Sequence, residues 1–181
     1  MVDTLKRTPP PIEARAWLEL LPAAARYSLR GGVEVRAAAS RAFGVELPST
    51  ACRAATVGTR AALWLGPDEY LLIASDGEAA SVARELNTAL AAIPHSLVDI
   101  SHRQIALSLK GTQAAWLLAH GCPLDLDLAE FPVGMCTRTV FVKAEILLWR
   151  TASDSFRIEV WRSFADYVVA LLEETALELT A

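Results

Sequence analysis

An α+β fold of two pseudo-repeated ferredoxin-like units, with mainly antiparallel sheet and the helices outside, is what this sequence predicts, and three observations predict it. The first is recurrence of order. Leu29-Arg30-Gly31 runs into helical spacing, as does Leu109-Lys110-Gly111, and Asp68-Glu69-Tyr70-Leu71-Leu72 is matched by Asp154-Ser155-Phe156-Arg157-Ile158. The second is that each half closes on an amphipathic helix. One carries Ala79, Val82, Ala83, Leu86 and Leu90 on a face, the other Phe164, Tyr167, Val168, Leu171 and Leu172. The third is Gly66-Pro67-Asp68-Glu69, whose turn chemistry between two apolar runs marks a hairpin and therefore antiparallel neighbours. Each half reads strand, helix, strand, strand, helix, the order of a split βαβ unit.

Taken in order, residues 1–26 read as an N-terminal arm: extended around Pro9-Pro10-Pro11, then a short helix from Glu13 to Leu21 that Pro22 ends. The repeat domain covers 27–181, its halves about 27–95 and 96–181. Tyr27 and Leu29 belong to a strand that turns at Arg30-Gly31-Gly32 into a helix from Val33 to Phe43, ended by Gly44. Pro48 to Thr59 reads as loop. Leu63-Trp64-Leu65 and Tyr70 to Ala74 flank the hairpin. From Ser96 onward, Val98, Ile100, Ile105, Leu107 and Leu109 fall at period two around the polar Ser101-His102-Arg103-Gln104, which reads as two strands or one kinked strand. A helix follows over Thr112 to His120, with Gly121 expected as a left-handed cap and Pro123 forbidding continuation. Trp64 and Trp149 are expected at equivalent places in the two halves, and Ser163 with Asp166 as a capping box.

Composition narrows the function classes. Of the 181 residues, 53% are hydrophobic and 21% charged, with mean hydropathy +0.31, so the core is large or a partner covers apolar surface. No apolar run is long enough to span a membrane, and the first residues have no signal-peptide core, which places the chain in the cytoplasm. A net charge of -4 with scattered arginines disfavours a phosphate-binding surface, so no nucleic acid is expected. Cys52, Cys122 and Cys136 have neither zinc-ligand nor disulfide spacing and read as free thiols, and no metal is expected.

Dinucleotide, phosphate-loop, zinc-protease and nucleophile-elbow signatures are missing from the sequence. The densest polar cluster, Asp99, Ser101, His102 and Arg103, offers an acid-base pair in principle. An Asp-x-Ser pair at a strand end more commonly caps a turn through backbone amides, and that reading is preferred. His120-Gly121-Cys122 reads as a helix terminus followed by a buried thiol, not as a nucleophile and its base. Leu124-Asp125-Leu126-Asp127 lacks the oxygen count and glycine bend of a calcium loop.

Longer segments carry a resemblance. Leu29 to Gly32, Ala42 to Pro48, Leu63 to Ala74 (LWLGPDEYLLIA), Val98 to Gly111 (VDISHRQIALSLKG), Leu117 to Gly134 (LLAHGCPLDLDLAEFPVG) and Ile146 to Val168 together resemble the gamma subunit of heterotetrameric sarcosine oxidase. The match runs over about residues 27–175. Its most specific pieces are Gly66, Pro67 and Asp68 of the hairpin; Asp99, Ser101, His102 and Arg103; and Gly121 to Leu126, with Asp125. Gly32 departs from the acidic or polar residue expected after Leu-Arg-Gly. The resemblance implies a fold like the aminomethyltransferase (glycine-cleavage T-protein) domain. It also implies a non-catalytic structural role among larger alpha and beta subunits that carry FAD, FMN, NAD and tetrahydrofolate. The complex would convert sarcosine, tetrahydrofolate and O2 to glycine, 5,10-methylenetetrahydrofolate and H2O2. The nine residues just named from Gly66 to Asp125 are then of structural or interface interest, with no catalytic or metal role. An alternative is a stand-alone folate-binding or aminomethyl-transfer protein using the Asp99 region. As an assembly subunit, the isolated chain is expected to self-associate or to be only marginally stable.

Overall fold

Two antiparallel sheets of five strands each, one per compact unit, account for the strands of residues 16–178, the part of the chain described by the computed structural model. The extended arm expected for residues 1–12 lies outside the described residues. Trp17–Leu20 is a strand, β1, where a short helix was expected. Leu18, Leu20 and Leu21 fit helical spacing equally well, and what decides the matter is a ladder to residues 107–110, far along the chain.

The unit Ala23–His102 contains β2 (Ala24–Arg30), α1 (Val33–Phe43), β3 (Ala54–Val57), β4 (Arg60–Gly66), β5 (Glu69–Ser75), α2 (Ala79–Leu90) and β6 (Ser96–Asp99), with strand order β3-β4-β5-β2-β6. Ala25, Tyr27 and Leu29 of β2 and Tyr70, Leu72 and Ala74 of β5 alternate into a core closed by Val35, Ala39 and Phe43 of α1 and Val82, Leu86 and Leu90 of α2. Gly44 ends α1 in the left-handed conformation (φ 73°), its N–H donating to the Ser40 carbonyl. The span expected to be loop, 48–59, holds β3. Its four residues are at least partly exposed and show no apolar alternation, so pairing to β4 alone defines them. Gly32 is the N-cap of α1 at φ -74°, with no side-chain cap and, among the described residues, nothing within 4 Å of an added Cβ. Gly32→Asp is therefore expected to stabilise by about 0.5–1 kcal/mol, read as an upward shift of the urea midpoint.

Residues 16–22 and 103–178 form the other unit: β1, β7 (Gln104–Lys110), α3 (Ala114–Ala119), β8 (Cys136–Phe141), β9 (Ala144–Ala152), β10 (Ser155–Trp161) and α4 (Ala165–Leu177), in strand order β1-β7-β10-β9-β8. Its topology repeats the first, with β1 standing where β6 stands. Ile100 N–H donates to the Arg26 carbonyl at 2.8 Å, and Leu21 N–H to the Ala106 carbonyl at 2.8 Å. The corners also match: Gly31 N–H donates to Asp68 C=O and Gly111 N–H to Asp154 C=O, both at 2.9 Å. The expected division at 95/96 is thereby corrected. Ser96–Asp99 pairs with β2 and stays with the first unit, and the second unit takes its missing strand from the other end of the chain.

Register also corrects the tryptophan pairing. Trp64 lies opposite Tyr70, and its N–H donates to the Arg53 carbonyl; Arg150 lies opposite Phe156, and its N–H donates to the Met135 carbonyl. Trp64 therefore corresponds to Arg150, while Trp149 corresponds to Leu63. Aligning Leu63-Trp64 with Leu148-Trp149 slips the register by one residue, which exchanges the faces of the sheet. Trp64 packs against its unit's helix-side core; Trp149, 9% exposed, points to the opposite face of β9. The capping box is also absent. Ser163 lies inside a 3-10 turn, Arg162–Phe164, so that Phe164 occupies the N-cap of α4 without a side-chain bond.

The matching 3-10 turn before α2, Asp76–Glu78, is held by ions. Glu78 accepts from Ser75 Oγ (2.5 Å), Arg60 Nε (3.0 Å) and Thr59 Oγ1 (3.2 Å), while Arg60 Nη1 also donates to the Phe43 carbonyl. The Ser75 and Arg60 hydrogen bonds hold the Glu78 carboxyl down to about 2. A folded value below the ordinary one, 4.5, means this contribution to stability is present above pH 4.5 and is lost as the pH falls toward 2. In an NMR titration Glu78 should protonate near pH 2, and Glu78→Gln should flatten the acid limb of the stability profile in that window.

Candidate functional site

The polar corner at the end of β6 is a hydrogen-bonded turn. Asp99 Oδ1 accepts from the Ser101 N–H (2.9 Å) and the Ser101 hydroxyl (2.6 Å), and Ser101 Oγ in turn accepts from the Arg26 N–H (2.9 Å). The two Ser101 bonds lower the Asp99 pKa, with burial opposing them and the His102 charge adding to the lowering. A carboxylate held in this way is a poor proton acceptor. Tyr27, opposite Asp99 in the ladder, has its hydroxyl pKa raised by burial and then by Asp99, and donates to the Ala79 carbonyl at 2.7 Å. His102 and Arg103 are both exposed. The chain passes between them from one unit to the other. Gly66, Pro67 and Asp68 form the β4–β5 turn and serve the strand-to-helix corner through the Asp68 carbonyl.

Gly121 follows α3 without the expected left-handed conformation. Close approach requires glycine here: an added Cβ would lie 2.8 Å from Phe141 and Val142, and the Gly121 carbonyl accepts from Val142 N–H at 2.7 Å. Because Phe141 is buried, Gly121→Ala should cost about 1–3 kcal/mol in a denaturant titration. Beyond it, Asp125 and Asp127 each fold the loop back, accepting from the N–H two residues on, at 2.9 and 2.8 Å.

That loop forms one wall of an open groove of about 460 Å³, lined among others by Thr112, Trp116, Asp125, Asp127, Arg150 and Asp154. Arg150, 3% exposed, holds it. Nη1 donates to the carbonyls of Leu126 (3.0 Å) and Phe131 (2.6 Å), and the guanidinium lies 4.6 Å from the Phe156 ring centroid. Among the described residues Nε has no hydrogen-bond partner. Burial lowers the Arg150 pKa, with the Asp127 charge opposing. Sequence reasoning missed this residue, although a signal exists: Ile146, Leu148 and Arg150 alternate inward, so an arginine stands where the pattern calls for a hydrophobe. Of the residues singled out, Asp99 and Ser101 are bonded to each other and Gly121 and Asp125 share a loop. Among the described residues no group of three or more His, Cys, Asp or Glu could hold a metal, and no helix is long and apolar enough to cross a membrane.

Two successive ferredoxin-like units of this topology define an α+β class shared with aminomethyltransferases. The chain superposes on the glycine cleavage system aminomethyltransferase T from Bartonella henselae with a TM-score of 0.65, over 89% of this chain and 46% of that one; at 17% identity the likeness is one of fold. The family follows from sequence. The chain belongs to the sarcosine oxidase, gamma subunit family, which it matches over residues 31–178. It is 38% identical over 146 residues to the sarcosine oxidase subunit gamma of Corynebacterium sp. (strain U-96), covering 80% of this chain and 70% of that protein. A chain of the heterotetrameric sarcosine oxidase from Corynebacterium sp. U-96, solved in complex with pyrrole 2-carboxylate, superposes with a TM-score of 0.87 at 33% identity, over 93% of this chain and 88% of that one.

Proposed function

We propose that the chain is a non-catalytic assembly subunit of a cytoplasmic heterotetrameric sarcosine oxidase, holding larger alpha and beta subunits in register. The complex demethylates sarcosine oxidatively to glycine, passing the one-carbon unit to tetrahydrofolate and the electrons to O2. FAD, FMN, NAD and tetrahydrofolate reside on the larger subunits. The observation that carries the structural role is the Asp99 corner: the carboxylate with the best claim to acid-base work holds its own turn through both Ser101 donors. Topology agrees for the dinucleotides. Every strand pairing among the described residues is antiparallel, so the parallel-strand crevice that a dinucleotide fold uses has no counterpart in them.

Co-expression with and without this chain tests the reading. The larger subunits should reach the mass of the complete complex and release peroxide on sarcosine when the chain is present, and fail to assemble without it. Normal assembly and turnover in its absence would overturn the proposal.

A further inference from the structure

The two units solve the same structural problem with different residues at one place, and the difference exposes a surface. In each, the last strand of the hairpin enters a 3-10 turn that opens the closing helix: Asp76–Glu78 before α2 and Arg162–Phe164 before α4. Cross-strand register equates Tyr70 with Phe156, and hence Ser75 with Trp161 and Glu78 with Phe164. The first unit builds this turn from Ser75, Asp76, Gly77 and Glu78. The second carries Trp161, Arg162, Ser163 and Phe164, and leaves both aromatic side chains 39% exposed. Trp161 is the N-cap of this turn and Phe164 its last residue, so the two exposed rings flank one short segment. The fold itself has no need of aromatics there, since the first unit makes the turn from polar residues.

Arg103 adds a charge to this surface. Its guanidinium lies 5.4 Å from the Trp161 ring centroid, and its carbonyl accepts from the Arg162 N–H at 2.9 Å. Among the described residues no carboxylate pairs with its side chain. A cation stacked on an exposed tryptophan, with an exposed phenylalanine three residues on in the sequence, has the composition of interface hot spots.

Resting on the subunit reading above, we propose that Arg103, Trp161 and Phe164 form the surface on which a larger subunit of the complex docks. The docked segment supplies a carboxylate to Arg103 and an apolar slot for the two rings. The charge favours that occupant over a second copy with the same face, which would set guanidinium against guanidinium across a two-fold contact.

The test gives this chain the first unit's own residues. Trp161→Ser with Phe164→Glu reproduces Ser75 and Glu78, and Arg103→Glu reverses the charge without touching a buried group. Affinity of each full-length variant for each separately purified larger subunit is measured by calorimetry, with thermal melts as folding controls. At least 100-fold weaker binding is expected for the double variant and at least tenfold for Arg103→Glu, both remaining folded. Binding within threefold of wild type for Arg103→Glu and for a folded double variant overturns the proposal. Should the double variant melt early, the arginine variant decides alone. Self-association abolished by the double variant with larger-subunit binding intact assigns the face to a second copy and also overturns it. Failure of the wild-type chain to bind is a separate result, which removes the subunit reading itself.

Discussion

A chain beginning at Ala23 is expected to lose the cooperative unfolding transition of its C-terminal unit. In that unit β7 is flanked by β10 on one side and β1 on the other, and Leu18, 5% exposed, packs in a core with Leu107, Leu109 and Leu117. Removing β1 turns β7 into a bare edge and opens that core to water. A milder version is Leu18→Ala, which should cost about 3 kcal/mol by loss of buried side chain and the cavity left behind. Leu18→Asp should be worse, since a carboxylate would enter an apolar core without a partner. Hydrogen exchange gives the local readout: amides of β7 should lose protection while those of β4 and β5 keep theirs. Equal protection in both units would mean that β1 is dispensable.

Arg150→Ala is the second large effect, expected at about 3–5 kcal/mol in chemical denaturation, because it strips a shared donor from two carbonyls and a flat cation from Phe156. Its consequence is local as well as global. The loop from Gly121 to Gly134 is tied to β9 through the Arg150 side chain at Leu126 and Phe131, and through the Gly134 N–H, which donates to the Arg150 carbonyl at 2.9 Å. Arg150→Lys should recover part of the loss, because an ammonium can reach one carbonyl but cannot reproduce the planar stack on Phe156. Equal destabilisation by Ala and Lys would show that the stack, and not the donor, is what matters.

Much of this architecture was legible from the residues. Val33–Phe43 reads as a helix because its apolar positions recur on one face and Gly44 must take a positive φ; the Gly-Pro-Asp turn reads as a hairpin for an equally local reason. What escaped is non-local. Nothing within Trp17–Leu20 says that its partner lies at 107–110, and Ala54–Val57 has no pattern apart from its ladder. The tryptophan pairing failed by one residue of register: likeness of letters set Trp149 against Trp64, while the hydrogen bonds set Arg150 there. At the site, the Asp99-x-Ser101 cap is local and readable. The Arg150 groove depends on segments brought together from three parts of the unit and could be sensed only as a charge out of pattern.

On the subunit reading proposed above, this chain contributes contact and no reacting group. Sarcosine-dependent peroxide release per assembled complex, measured for Asp99→Asn and His102→Ala beside wild type, tests it most directly. Asparagine can still accept from Ser101 at Asp99, and His102 is exposed, so both variants should assemble. Turnover within about twofold of wild type is expected for each, a difference below about 0.5 kcal/mol in barrier. Loss of turnover by a hundredfold or more in either variant, with the complex intact in mass and melting temperature, would contradict it and return a chemical role to the Asp99 corner.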